Sequence, residues 1–494
     1  MNRDSTEKQS TNASQERSIN ARLLAYEVLA EVRDSDAYAN LVLPSRLRSS
    51  GLDSSDRGFA TELVYGTLRM QGYYDRVIER VAGRDLHTID PVALVVLRMG
   101  AHQILGMRTP VHAAVYETVD IQKRVGRQSA VGFVNGVLRS LGRRQPEEWL
   151  EDVLGELTNA DARLSAQFSH PEWVIRAFRA SLRAEGRAEE IKELLTADNR
   201  SPRVSLVTLP GSPKNISQDT RATASTVSPL GHTLERGDPS QVTGPSNGWI
   251  RVQDQGSQVA ALILTRAREV EEGEMWLDMC AGPGGKSAIL GAEARLGGAH
   301  VIANEVVPAR ANLVRKSVIA VQDAVDVVVG EGQTIPGRYP EGFHRIMVDA
   351  PCTGLGALRR RPEARWRKDP TDIPPLTSLQ DALLEAAVTA LKPGGLLAYV
   401  TCSPHRAETR TVVNGMLKKH PQMTELSARE ILQRLAPEPV DLGVAPPRED
   451  SRGGGKGDSS NDGKDSHGND LSVQLWPHRH GTDAMFVSLF KKLG

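Results

Sequence analysis

The stretch LDMCAGPGGKS, residues 277–287, decides the fold because it joins a short apolar run to the start of a helical pattern. Glycines let the backbone approach a ligand closely, and the amino end of a helix favours negative charge. A P-loop would need glycine six residues before Lys286, where the chain has Cys280. A dinucleotide-binding turn beginning at Gly282 would need glycine where the chain has Ser287. The stretch therefore predicts a strand–turn–helix unit for a different ligand.

Strand and helix patterns alternate after this turn. Buried strands are predicted at MWLDM, HVIANE, DVVVG, HRIMVDA and GLLAYVTC, which are residues 275–279, 300–305, 326–330, 344–350 and 395–402. Helical stretches begin near Pro283, Pro308 and Ser378. This alternation indicates an α/β fold with a doubly wound, Rossmann-like sheet, whose ligands bind at the carboxyl ends of the strands.

Acidic residues come at the ends of three consecutive predicted strands. They are Glu305, Glu331 and Asp349. A carboxylate at such a position can accept the hydroxyl groups of a ribose. S-adenosylmethionine fits the set, because its adenosine needs carboxylate and apolar contacts and its methionine carboxylate suits Lys286 and the helix end. The alternative for any single one of them is a solvated loop carboxylate.

Two cysteines follow predicted strands of the same sheet. Cys352 comes three residues after Asp349, and Cys402 ends the next predicted strand. A thiolate that adds to carbon 6 of a pyrimidine makes carbon 5 nucleophilic enough to attack a sulfonium methyl group. Asp349 would stabilise the adduct near ring nitrogen 3, and Cys352 would assist removal of the carbon 5 proton. The alternative for either cysteine alone is a small buried apolar residue.

A basic segment follows the first of these cysteines. Residues 355–370 carry a net charge of +4, although the whole chain has 61 Lys and Arg against 61 Asp and Glu. Guanidinium groups contact phosphates and an aromatic ring can stack on a base, so the segment predicts RNA contacts; a solvated charged loop is the alternative. Its residues are Arg359, Arg360, Arg361, Arg365, Trp366, Arg367 and Lys368.

Composition limits the class of protein. The 494 residues are too many for one ordinary domain. No apolar run is long enough for a bilayer, and the first residues lack the apolar core of a secretory signal. Three cysteines without a CxxC pair argue against a disulfide framework and against zinc. We expect a cytoplasmic monomer without a metal or a membrane partner.

Four regions are predicted along the chain. Residues 1–17 are a polar, disordered tail, and residues 18–145 have the helical spacing of an all-α bundle. Residues 146–247 predict a small α+β module and linker, in which the turn formers of 210–247 predict a long loop. Residues 248–494 form the α/β domain, interrupted by a Gly/Ser/Asp-rich insertion at 446–470 that we expect to be disordered.

The motifs CAGPGGK, DAPCTG and TCS, in this order behind a helical region, resemble bacterial RNA cytosine-5 methyltransferases of the Sun/Fmu type, which act on 16S ribosomal RNA. The helical region resembles the antitermination factor NusB, and residues 146–247 resemble the small RNA-binding module of that family. The resemblance implies that Cys402 is the nucleophile and that Cys352 promotes product release. It also implies contacts to S-adenosylmethionine from Cys280, Ala281, Gly282, Pro283, Gly284, Gly285, Lys286, Glu305, Glu331 and Asp349.

The chain departs from the family pattern at several positions. The family often has Asp where this chain has Glu305 and Glu331, and the longer side chain can make the same contacts. Ala-Gly-Pro replaces the usual Ala-Ala-Pro of the glycine motif. After TCS the family commonly has Pro-Glu-Glu-Asn, whereas the nearby acidic residue here is Glu408.

We therefore predict an enzyme that methylates carbon 5 of a cytosine in RNA through a covalent bond to Cys402. The NusB-like helices favour 16S ribosomal RNA as the substrate. The same motifs leave two alternative functions open. One is the same chemistry on transfer RNA, and the other is a non-catalytic RNA-binding protein that keeps the methyltransferase fold as a scaffold.

Overall fold

The structure, a computed structural model, describes residues 20–443 and 470–494 apart from residues 36, 108, 215, 217, 218 and 220. The predicted tail, residues 1–17, lies outside the described residues, as does all but the last residue of the predicted insertion at 446–470. The chain divides into two compact units. One contains the residues up to Glu172 together with 360–366, and the other contains 173–359 and 367–494.

Helices build the first unit, as the spacing of its apolar residues predicts. Leu24, Val28 and Leu29 of the first helix are buried in the apolar core of this unit. Asp90 caps the helix that starts at Pro91, because its side chain accepts from the backbone N–H groups of the first turn. The helices are α1 Ala21–Asp34, α2 Ala39–Ser49, α3 Ser54–Arg69, α4 Gln71–Ala82, α5 Pro91–Ala101, α6 Val111–Val125, α7 Val131–Leu141, α8 Pro146–Gly155 and α9 Ala160–Phe168.

A small antiparallel sheet follows helices α10 Glu172–Ala184 and α11 Ile191–Asp198. Its strands are β1 Val204–Thr208, β2 Ala222–Ala224, β3 Gly231–Leu234 and β4 Ile250–Val252, in the order β2-β3-β1-β4. Helix α12, Ser240–Thr243, precedes β4. The prediction of one long loop over 210–247 is therefore wrong. Strands of three or four residues are too short to show an alternating pattern, and pairing with β1 holds them in place.

The second unit also contains a larger, mostly parallel sheet, which confirms the predicted Rossmann-like fold. Within the described residues its strand order is β10-β12-β9-β8-β5-β6-β7, with β11 paired to β12. The strands are β5 Met275–Asp278, β6 His300–Glu305, β7 Val325–Val329, β8 Phe343–Asp349, β9 Leu391–Thr401, β10 Met423–Leu426, β11 Val473–Gln474 and β12 Phe486–Lys492.

Helices accompany this sheet along the chain. They are α13 Gln255–Thr265, α14 Gly285–Gly297, α15 Pro308–Ser317, α16 Ile335–Arg338, α17 Ala364–Arg367, α18 Ile373–Ala390, α19 Arg410–Lys419, α20 Ala428–Leu435 and α21 Pro477–His480. Helix α18 begins five residues before the predicted start near Ser378, since Pro374 and Pro375 are tolerated in its first turn.

Alternate residues of the central strands enter two different apolar clusters. Leu277 and Ile346 pack on one side of the sheet, and Trp276 and Met347 pack on the other. A parallel sheet covered on both faces explains why these strands appear in the sequence as continuous apolar runs. The parallel registers bring the carboxyl ends of β5, β6, β8 and β9 to one edge, where the candidate site lies.

Candidate active site

The glycine turn connects β5 to α14 at this edge. The N–H of Ala281 donates to the carbonyl of Asn304 at 2.8 Å, which ties the turn to β6. Gly284 has a φ of +100°, and a Cβ added there would lie 2.5 Å from Cβ of Ser317. Only glycine fits this position without strain. In the described residues no side chain caps the amino end of α14, so its backbone N–H groups point into the site.

Glu305 ends β6 and reaches back to the turn. Its side chain is 3% exposed, and Oε2 accepts from the N–H of Gly282 at 3.0 Å while Oε1 accepts from the N–H of Val307 at 3.0 Å. Arg310 lies 3.6 Å from Oε2. A Cβ at residue 282 would come within 2.1 Å of that oxygen, so glycine makes the contact possible.

Glu331 and Asp349 lie at the carboxyl ends of β7 and β8, which β5 and β6 separate in the sheet. Glu331 is exposed and comes two residues after the end of β7, next to a short turn at Gly332–Thr334. Asp349 ends β8 and pairs in register with Val400 of β9. The three acidic residues that the sequence singled out thus share one edge, and Glu331 is the one most open to water.

Lys286 forms an ion pair with Asp349 across the edge of the sheet. Its Nζ lies 2.7 Å from Oδ2 of Asp349, and the side chains are 10% and 25% exposed. Burial lowers the pKa of Lys286, but the charge and hydrogen bond of Asp349 outweigh it, so that the pKa is raised overall. In this structure the ammonium group of Lys286 therefore binds a carboxylate of the protein itself.

Asp278 is, after Glu305, a second buried carboxylate at this site, and the sequence patterns did not predict it. It is 0% exposed and accepts a hydrogen bond from Oγ of Ser287 at 2.7 Å. Burial, and secondarily the negative charge of Asp349, raises the pKa of Asp278 to about 7. The signal that could have found it is an acidic residue inside the otherwise apolar run MWLDM.

The three cysteines occupy two different environments. Sγ of Cys352 lies 3.4 Å from Sγ of Cys402, which places the two thiols in direct contact. The hydrogen bond with Cys402, burial, and the negative charges of Cys402 and Glu408 raise the pKa of Cys352 well above its usual value. Cys280 lies in the glycine turn, where burial and the carboxylates of Asp278, Asp349 and Glu305 raise the pKa of its thiol.

The basic segment differs from the prediction at two of its arginines. Nε of Arg359 donates to Asp483 at 2.7 Å and its Nη2 to Asp254 at 3.0 Å, and the side chain is buried. Arg365 is fully buried within the helical unit and donates to the carbonyls of Arg69 and Ser169. For these two residues the predicted RNA contact is wrong, since protein groups already bind their guanidinium groups.

Two absences concern the residues that the structure describes. Over residues 20–443 and 470–494, no helix combines the length and the apolar character that crossing a bilayer requires. In the same ranges, no three His, Cys, Asp or Glu side chains come together in a way that suits a metal ion.

A glycine turn at the carboxyl edge of a Rossmann-like sheet, joined to a helical unit, is the architecture of an S-adenosylmethionine-dependent RNA methyltransferase. Comparison of the sequence with protein families identifies the methyltransferase family. The sequence model of the 16S rRNA methyltransferase RsmB/F family matches residues 265–491, and that of the NusB family matches residues 19–143. The chain belongs to the RsmB/F family of ribosomal RNA methyltransferases, which confirms the predicted family and enzyme class.

Known proteins resemble the chain over most of its length. It is 41% identical over 481 residues to Rv1407 of Mycobacterium tuberculosis, a relative whose name says methyltransferase and gives no substrate; the match covers 96% of each chain. It is 29% identical over 412 residues to the ribosomal RNA small subunit methyltransferase B of Yersinia enterocolitica, covering 81% of this chain and 90% of that one.

Solved structures support the fold. The crystal structure of PH0851 superposes with a TM-score of 0.72 at 21% identity, covering 96% of this chain and 98% of that one. A methyltransferase homologue from Pyrococcus horikoshii superposes with a TM-score of 0.50 at 20% identity, covering 68% of this chain and 100% of that one. At these identities the likeness shows the shared fold.

Proposed function

We propose that the protein transfers a methyl group from S-adenosylmethionine to carbon 5 of a cytosine in 16S ribosomal RNA, with Cys402 as the nucleophile. The observation that carries the proposal is the contact between Sγ of Cys352 and Sγ of Cys402 at 3.4 Å, beside the Lys286–Asp349 pair. Base methylation at carbon 5 needs a nucleophile, a proton donor to the ring and a base, and these side chains supply all three.

The reaction balances when each proton is followed. The Cys402 thiolate bonds to carbon 6, the carbon 5–carbon 6 double bond opens, and ring nitrogen 3 takes a hydrogen bond or a proton from the Asp349–Lys286 pair. Carbon 5 then bonds to the methyl group, which S-adenosylmethionine supplies as an electrophile on its sulfonium sulfur, and S-adenosylhomocysteine is released. Loss of the carbon 5 proton to Cys352 restores the double bond and expels the Cys402 thiolate, and ring nitrogen 3 returns any proton that it took to the Asp349–Lys286 pair.

Cys352 is assigned to the last of these steps. Its Sγ lies 3.4 Å from Sγ of Cys402, and this hydrogen bond, followed by burial, raises the pKa of the Cys352 thiol, so that Cys352 donates to the Cys402 thiolate. Once Cys402 is bonded to carbon 6, Cys352 no longer faces a neighbouring thiolate, so it releases its own proton to solvent and accepts the carbon 5 proton as a thiolate. Extrusion of the cytosine from its stack is needed for either thiol to reach the ring.

The edge of the sheet offers donors and acceptors that suit the methyl donor. The uncapped amino end of α14 fits a carboxylate, and the turn from Cys280 to Gly285 leaves the backbone accessible there. Glu305, whose oxygens accept from the N–H groups of Gly282 and Val307, and Glu331 are assigned to the ribose and the adenine side. Because Lys286 binds Asp349, we propose that its main role is to hold that carboxylate rather than the methionine carboxylate.

The test is a pair of cysteine variants. Cys402→Ala should abolish formation of 5-methylcytosine, because no thiolate adds to carbon 6. Cys352→Ala should instead accumulate a covalent protein–RNA adduct in denaturing gels, because release fails. The two variants act as controls for one another. Retained turnover in Cys402→Ala, or trapping by Cys402→Ala and not by Cys352→Ala, would contradict the assignment.

The choice of RNA follows from the family and from the relative named as a small-subunit methyltransferase. Bisulfite sequencing of RNA from cells with and without the gene should show one cytosine of 16S ribosomal RNA that loses its methyl group. A site lost from transfer RNA instead would assign the same chemistry to the alternative substrate.

We further propose that the enzyme works as a cytoplasmic monomer. The proposed domain limits are 18–145 for the NusB-like helices, 146–247 for the small module and 248–494 for the methyltransferase domain. Limited proteolysis followed by mass spectrometry checks these limits: α8 and α9 lie in the compact helical unit that runs to Glu172, so cleavage near residue 172 rather than near residue 145 would move the first limit.

A further inference from the structure

A buried carboxylate lies between the two cysteine loops and takes no part in the chemistry described above. We propose that Glu408 is a positioning residue that holds the Cys352 loop and the Cys402 loop at their working separation. The inference rests on the proposed function, since that function requires Cys402 and Asp349, which lies three residues before Cys352, to meet at the same cytosine.

Glu408 binds both loops directly. Its Oε1 accepts from the backbone N–H of Thr353 at 2.8 Å. Its Oε2 accepts from Oγ1 of Thr353 at 2.5 Å and from Oγ of Ser403 at 2.7 Å. Thr353 follows Cys352 directly, and Ser403 follows Cys402 directly. Each loop is therefore anchored one residue away from its thiol by the same carboxylate.

Glu408 is itself held from two other sides. The hydroxyl group of Tyr399, in β9, donates to the backbone carbonyl of Glu408 at 2.8 Å. Nε2 of Gln380, in α18, donates to the carbonyl of Pro351 at 2.8 Å and lies 3.4 Å from Oε1 of Glu408. Because these supports come from a strand and a helix, the carboxylate is fixed before a substrate arrives.

The burial of Glu408 supports its role as a positioning residue. The residue is 0% exposed, and its carboxylate oxygens are bound by the N–H and hydroxyl of Thr353, the hydroxyl of Ser403 and Nε2 of Gln380. A buried carboxylate is costly unless hydrogen bonds satisfy it, and here the donors are the residues next to the cysteines. Its negative charge also contributes to the raised pKa of Cys352, after the hydrogen bond with Cys402 and burial.

A second tie between the loops shows what Glu408 adds. The N–H of Gly356 donates to the carbonyl of Cys402 at 2.8 Å, and a Cβ on residue 356 would lie 2.8 Å from that oxygen. The loops also touch directly where Oγ1 of Thr353 lies 3.1 Å from Oγ of Ser403, and Glu408 binds both of these hydroxyl groups. The carboxylate of Glu408 supplies the further contacts that fix the angle between them.

The experiment uses the full chain in the Cys352→Ala background, where the covalent adduct accumulates. Glu408→Ala should slow adduct formation about 10²-fold, because small misplacement of a reacting group costs that much. Glu408→Gln should stay within about threefold of the parent, because its amide oxygen still accepts from the Thr353 N–H and its NH₂ donates to the two hydroxyl oxygens. Affinity for S-adenosylhomocysteine should not change in either variant.

Glu425→Ala is the matched control, since Glu425 is also a buried glutamate but binds Arg410 and Ser488 at the edge strand β10. It should leave the rate of adduct formation per folded molecule unchanged. If Glu408→Ala and Glu425→Ala slowed adduct formation equally, Glu408 would have only a general structural role, and the inference would be overturned. An unchanged rate in Glu408→Ala would also overturn it.

A gentler variant covers the case in which Glu408→Ala does not fold. Thr353→Val combined with Ser403→Ala removes both hydroxyl donors and keeps the carboxylate and the backbone contact. It should slow adduct formation about tenfold, and an unchanged rate would overturn the inference. If the Cys352→Ala parent trapped no adduct at all, the proposed function would fail instead, which keeps the two failures distinct.

Discussion

Strand β8 carries one ion pair at each end, and the two pairs are built differently. At its amino end Nε of Arg345 donates to Oε2 of Glu274 at 2.8 Å, and the side chains are 0% and 2% exposed. At its carboxyl end Asp349 pairs with Lys286, and both keep some exposure. The first pair is closed to water, whereas the second remains open at the edge where substrates bind.

The hydrogen bonds of the two pairs make the difference clearer. Arg345 also donates to backbone carbonyls of Leu264, Thr265, Arg268 and Glu269, and Glu274 also accepts from Nε1 of Trp276. Each nitrogen of the Arg345 guanidinium group donates to a protein oxygen, so the pair stabilises the folded state. The Lys286–Asp349 pair keeps donor and acceptor capacity for a substrate.

The largest expected effect comes from breaking the closed pair. Arg345→Met should lower the free energy of unfolding by about 3–5 kcal/mol, because it leaves Oε2 of Glu274 and the buried carbonyls of Thr265 and Glu269 without their donor, although Arg268 still pairs with Oε1 of Glu274. Chemical denaturation measures the change. Arg345→Met with Glu274→Gln is the control and should recover part of the loss, since no buried charge remains. A loss below about 1 kcal/mol for the single variant would show that water reaches this end of the strand.

Breaking the open pair should affect catalysis more than stability. Lys286→Met should lower the free energy of unfolding by about 1 kcal/mol, because water can solvate the partly exposed Asp349. Its turnover should fall about 10²-fold, as expected when a positioned acid or base is lost. Single-turnover methylation and denaturation on the same preparation measure both quantities. A stability loss as large as that of Arg345→Met would remove the distinction between the pairs.

The strands and the glycine turn were predictable because their signals are local. MWLDM, HVIANE and HRIMVDA are continuous apolar runs, and β5, β6 and β8 follow them closely. The positions of Glu305, Asp349 and Cys402 at strand ends followed from the same runs. The short strands β2 and β3 were missed because long-range pairing, rather than their own residues, makes them strands.

Partners that lie far apart in the sequence were not predictable. Lys286 and Asp349 are 63 residues apart, and Glu408 is 55 residues from Thr353, so neither contact has a sequence signal. The basic segment misled for a related reason. The net charge of the segment follows from its own residues. The burial of Arg359 and Arg365 depends instead on Asp254, Asp483 and carbonyl groups that are distant in the sequence.

Asp278 adds a third case to this comparison, since it accepts a hydrogen bond from Ser287 and, within the described residues, forms no ion pair with a cation. Its pKa in the folded protein is raised to about 7, whereas the unfolded value is about 3.9. The folded state therefore holds a proton that the unfolded state releases between these values. The stability contributed by this group is complete below about pH 4 and is lost as the pH rises through about 7.

The smallest expected effect is the removal of this pH dependence. The free energy of unfolding of Asp278→Asn, relative to that of the parent protein, should increase as the pH rises from about 4 to about 7. The increase should be at most about 1.4 kcal/mol per pH unit. Denaturation at several pH values measures how this difference changes with pH. The altered hydrogen bond to Ser287 adds a constant to the difference and does not affect that slope. Parallel curves for the two proteins would mean that Asp278 is ionised in the folded state, and that Lys286 neutralises both neighbouring carboxylates.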